Sequence, residues 1–88
     1  MTRIPLTVGR VVRSKAGRDS GRLFLVMGEA GEEHLLLADG DLRKVEKPKK
    51  KKRKHLEATA CECECPEIGK LRNSDVRKLI QNATDKEG

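Results

Sequence analysis

Among 88 residues there is no tryptophan, no tyrosine and one phenylalanine, Phe24. Rings supply much of the buried area of small cores and the platforms on which single-stranded nucleic acids stack. Their scarcity predicts a thin, aliphatic core and argues against reading single strands through several exposed aromatics. Long apolar runs are missing too. No stretch approaches the roughly 20 residues that cross a bilayer as a helix, and MTRIPLTVGR lacks the apolar segment of a secretory signal. The three cysteines crowd into CECEC, which makes a poor disulfide framework and fits a reducing, cytoplasmic compartment. There is no Walker-type loop, dinucleotide fingerprint or HExxH pair. His34 and His55 among scattered carboxylates define no acid–base couple. No enzymatic activity, no cofactor, no small-molecule substrate and no membrane role is therefore expected.

What the chain does have is charge. Lys and Arg number 20 against 14 Asp and Glu, a formal net of +6. Residues 1–56 carry 15 basic and 7 acidic side chains, whereas residues 57–88 carry 5 and 7. The positive excess thus belongs to the first two thirds, and clustered cations of this kind point to a polyanionic partner. Charged residues make up 39 % and hydrophobic ones 35 %, near the border of disorder. Val, Leu and Ile nonetheless gather in short runs, which favours a folded unit.

Those runs have strand lengths. Val8 to Arg13 is rich in β-branched residues, Leu23 to Met27 is wholly apolar, and HLLLA and LRKV follow at close spacing. Gly17 and Gly21 lie in SKAGRDSGR, a turn composition, and Asp39-Gly40 reads as a hairpin signal. Four short strands in succession, with Leu56 as a fifth strand or a single turn, predict a small antiparallel barrel. EATACECECPEIGK has few apolar anchors and reads as a linker. In NSDVRKLIQNA, Val76, Leu79, Ile80 and Ala83 fall on one helical face. Asn73 or Ser74 is placed to cap that helix, with Asp75 favourable in its first turn. The expected organisation is a barrel over residues 5–56, a cysteine-containing linker over 57–72 and a helix over 73–84.

The first turn is crowded with cations: Arg13, Lys15, Arg18 and Arg22, interrupted only by Asp19. A tight turn of this kind can approach a phosphate backbone closely. VGRVVRSKAGRDSGRLFLVMG resembles the KOW motif of ribosomal proteins and transcription elongation factors. The similarity continues through LLLADGDLRKVEKPKKKKRKHL, like that of small bacterial KOW-domain RNA-binding proteins. Together the two segments cover about residues 5–56. The resemblance implies an SH3-like barrel whose basic turns touch RNA, a role that falls here on Lys15, Arg18, Arg22, Arg43, Lys49, Lys50, Lys51, Lys52, Arg53 and Lys54. It also implies structured ribosomal RNA as partner, with ribosomal proteins nearby. The CECEC insert departs from the family pattern.

PKKKKRKH admits three readings: a solvated basic stretch, a nuclear localisation signal, or a phosphate-binding edge of the barrel. Its position between LRKV and HL, where both ends can be anchored, favours the third. Cys61, Cys63 and Cys65 alternate, so in an extended segment they would share a face and could meet zinc with His55 or His34. The C-x-C spacing and the interleaved Glu62 and Glu64 weigh against that site. Two alternatives to RNA binding follow: a zinc-stabilised adaptor, and a protein-interaction module that would be indifferent to the lysine run.

Overall fold

The computed structural model describes residues 7–18, 20–62 and 68–87. The chain is mainly β, with five antiparallel strands curled into a half-barrel and one C-terminal helix, an architecture consistent with an SH3-like barrel. The strands are β1 (Arg10–Ser14), β2 (Leu23–Glu29), β3 (His34–Ala38), β4 (Lys49–Lys52) and β5 (Leu56–Glu62). Their spatial order is β4-β3-β2-β1-β5. A 3-10 turn, Arg53–His55, joins β4 to β5; a second, Ile68–Lys70, precedes α1 (Asn73–Glu87).

The curl follows from connectivity. In a flat five-stranded sheet the outer strands would lie about 19 Å apart, four spacings of about 4.8 Å. The 3-10 turn that links those outer strands advances about 2 Å per residue, so it covers only about 8 Å from Lys52 to Leu56. The sheet must therefore roll until its edges approach. Lys51 confirms the closure: from edge strand β4 its ammonium donates to Ser14 Oγ at 2.7 Å and to the Ala16 carbonyl at 2.8 Å, beyond β1.

Strand alternation produces two apolar layers. Val12, Phe24, Val26, Leu35, Leu37 and Leu56 fill the inside of the half-barrel. Val11 and Leu25 face the other way and meet Val76 and Ala83 of α1, flanked by Leu23, Met27, Leu79 and Ile80. The helical face expected from Val76, Leu79, Ile80 and Ala83 is thus the face that packs. Capping differs from expectation. Asp75 Oδ2 accepts the Arg72 N–H at 3.0 Å, while Asn73 Oδ1 accepts the Val45 N–H at 2.9 Å. Asn73 therefore ties a distant loop to the helix start.

Three expectations are corrected. LRKV is not a strand; the fourth strand is the lysine run itself, paired with β3 in the register Leu35↔Lys51 and Leu37↔Lys49. The chain between β3 and β4, residues 39–48, is a loop rather than a tight hairpin turn at Asp39-Gly40. Residues 57–62, assigned to the linker, extend β5, which pairs with β1 from Ser14↔Leu56 to Arg10↔Glu62. The register slips between Arg10 and Val12, and Thr59 fills the irregularity. Its buried hydroxyl donates to the Val11 carbonyl at 2.8 Å and accepts the Cys61 N–H at 3.2 Å. Thr59→Val keeps the shape and removes both partners. It should cost about 1–3 kcal/mol of stability, measured by urea denaturation.

Candidate nucleic-acid interface

Three segments meet at the mouth of the half-barrel: the β1–β2 turn, the 39–48 loop and β4. Each is held by identifiable bonds. In the turn, Gly17 and Gly21 take φ of +83° and +90°, a backbone region closed to most side chains. The Lys15 N–H donates to the His55 carbonyl at 2.8 Å, fastening the turn to the end of the lysine run. In the loop, Asp39 Oδ1 accepts the Asp41 and Arg43 N–H groups at 2.9 and 2.8 Å. Asp39 Oδ2 lies 3.6 Å from Arg22 Nη2, joining loop to turn. The Asp39 side chain is 7 % exposed and that of Arg22 45 %, so the pair anchors the loop while the guanidinium keeps access to solvent.

Both ends of the loop are tied to α1. Asn73 Nδ2 donates to both carboxylate oxygens of Glu46, at 3.1 and 3.2 Å, and Arg77 Nη1 to the Gly40 carbonyl at 2.9 Å. The Glu46 carboxyl is held below its ordinary range, first by its own backbone N–H, then by the Asn73 amide and Lys44, against slight desolvation. A carboxylate with a lowered folded pKa stabilises the fold above its unfolded value, and that contribution fades as pH falls through the folded one. This tether therefore weakens only in acid.

The expected cations fall into distinct environments. Arg18, Arg22, Arg43 and Lys49 line one cleft of about 520 Å³, together with Phe24, Asp39 and Leu42. Lys15 is exposed on the adjoining turn. Arg13 points to the opposite face of the sheet, into a hollow of about 450 Å³ beside α1 that also holds Arg22, Arg77, Asp39 and Asp41.

The pleat divides the lysine run itself. Lys49 and Lys51 are half-buried on the inner side, while Lys50 and Lys52 are exposed on the outer one. The Lys51 ammonium is engaged by Ser14 and Ala16 as a strut across the mouth. Lys52, Arg53 and Lys54 line a hollow of about 260 Å³ with Glu32 and Glu33, and Arg53 Nη2 lies 3.2 Å from Glu29 Oε1. Lys51→Met, which preserves the stem and deletes two charge-assisted bonds, should lower stability by about 1.5–3 kcal/mol. Denaturation would measure that loss.

Sequence reasoning missed Asp39 as the organiser of the loop and Leu42 on the cleft wall. The Asp-Gly-Asp composition carried a usable signal for the first, since Asp side chains commonly close turns onto backbone N–H groups two residues ahead. Phe24, expected in the core, is 2 % exposed. Among the described residues no group of three His, Cys, Asp or Glu side chains is placed to hold a metal ion. Cys61 packs beside the helix-side core; Cys63 and Cys65 lie outside the described residues. Among those residues, too, no helix is long and apolar enough to cross a membrane.

Fold and cleft together define a small β half-barrel, backed by a helix, with a cation-lined cleft at its mouth. No protein-family model matches the chain, and no curated protein does.

Proposed function

We propose that this protein binds structured RNA, docking cations of the barrel mouth onto backbone phosphates without catalysis. The observation that carries the reading is the convergence of Arg18, Arg22, Arg43 and Lys49, from three separate segments, on one cleft. Four cations on a concave, low-dielectric surface focus potential and concentrate a polyanion there. Arginine favours phosphate further by offering paired N–H donors in a fixed fork. Lys15, exposed on the adjoining turn, and Lys50, exposed on the outer side of β4, extend the contact set to six. Lys52, Arg53 and Lys54 contribute less, because Glu29, Glu32 and Glu33 already face them. The KOW resemblance makes ribosomal RNA the leading target, in a cytoplasmic setting with ribosomal proteins as neighbours.

About six phosphate contacts imply that log affinity falls with log salt at a slope near −5. Titration of a structured RNA hairpin at several salt concentrations measures this, and a slope near zero would refute the proposal. Crosslinking in cell lysate, followed by sequencing of the attached RNA, tests the ribosomal assignment.

A further inference from the structure

The cleft is not purely ionic, and its apolar part has no role in phosphate docking. Phe24 contributes to its lining, and Leu42 stands beside Arg43 with 66 % of its surface exposed. Among the described residues, Leu42 and Val8 are the exposed large hydrophobics. Leu42 is held out in solvent by a loop that both Asp39 oxygens pin, and it projects next to four cations. A sugar–phosphate backbone alone offers such a side chain nothing. A base does, because apolar side chains pack on base faces and wedge against unstacked steps. In a paired A-form stem the base faces are covered, so the base must be unpaired.

Two other hollows fit a nucleotide less well. The one beside α1 sets Asp39 and Asp41 against Arg13, Arg22 and Arg77, and the one at Lys52–Lys54 holds Glu32 and Glu33. Among the described residues a single acid, Asp39, lines the mouth cleft, and its Oδ1 already accepts two backbone N–H groups. A volume of about 520 Å³ falls in the range of small-ligand sites.

Resting on the RNA-binding reading above, we propose that this cleft takes one unpaired nucleotide of a structured RNA. Its phosphate lies among Arg18, Arg22, Arg43 and Lys49, and its base packs on Leu42. The protein thereby prefers stems interrupted by a bulged nucleotide over continuous ones.

The test uses the full chain and three hairpins of one sequence: fully paired, carrying one unpaired nucleotide in the stem, and carrying an abasic residue at that position. Burying a leucine side chain against a base predicts a preference of about tenfold for the bulged hairpin over both others. Leu42→Ser should abolish that preference while leaving affinity for the paired hairpin, and its salt slope, unchanged. Leu42 is exposed, so the variant should fold, which a thermal melt checks. Equal binding of all three hairpins by the wild type would overturn the nucleotide site and leave the RNA-binding proposal standing. A preference that survives in Leu42→Ser would overturn the assignment to this cleft. Failure to bind any hairpin would overturn both.

Discussion

Replacing Arg18, Arg22, Arg43 and Lys49 together by glutamine is expected to lower affinity for a structured RNA roughly a thousandfold at physiological salt. Each ion contact is worth about 1 kcal/mol at 4 Å in water, and four such contacts give about three decades. Each lost phosphate contact also removes about 0.9 from the magnitude of the salt slope, which should shrink from near 5 to about 1.5. Stability should change little. The variant breaks the ion pair of Arg22 with Asp39, whose guanidinium is 45 % exposed, and such pairs contribute little. Lys52→Gln with Lys54→Gln, which removes two charges outside the cleft, is the control. These two side chains sit beside Glu32 and Glu33, and their loss should weaken binding only a few-fold. An equal loss of log affinity per charge removed in the two variants would mean that net charge, rather than the cleft, governs affinity.

Gly40→Ala should damage the fold severely, at about 2–6 kcal/mol in urea denaturation. Gly40 holds φ at +77°, where a side chain is strained by about 1–3 kcal/mol. A Cβ there would also press into the backbone carbonyl of Asn73 and meet the Arg77 side chain, adding an overpacking cost of about 1–3 kcal/mol. Neither neighbour can yield freely, since Asn73 starts α1 and Arg77 bonds the Gly40 carbonyl. Gly31→Ala separates the two costs, because Gly31 has φ +87° with open space around it; it should show the strain alone. Because residues 39–48 carry Leu42 and Arg43, Gly40→Ala should also weaken RNA binding although no cation is removed.

The helix and the first three strands were readable in the sequence because their apolar residues are periodic. Val76, Leu79, Ile80 and Ala83 repeat at helical spacing, and Val11, Leu25 and Leu35 lie in short β-rich or apolar runs. The fourth strand was not readable. A run of lysines carries neither alternation nor β propensity, and it becomes a strand only because β3 offers it a ladder. β5 was obscured similarly, since EATACE has no large apolar residue and its anchor is the hydroxyl of Thr59. At the site, sequence clustering identified Arg18, Arg22, Arg43 and Lys49 as cations. It could not separate Lys49 from Lys51, two residues along the same inner face. That distinction depends on Ser14 and Ala16, which a rolled sheet brings within reach of Lys51 from more than 30 positions away.

The central claim is that cations from three segments hold phosphate in one cleft, and a residue-resolved NMR titration of the labelled protein with an RNA hairpin tests it most directly. Backbone and side-chain signals of Arg18, Arg22, Leu42, Arg43 and Lys49 should shift together along one binding curve, while those of Glu32, Glu33 and Thr59 stay still. Shifts confined to the solvent-facing side of α1 or to the Glu32–Glu33 turn, with the cleft silent, would contradict the account.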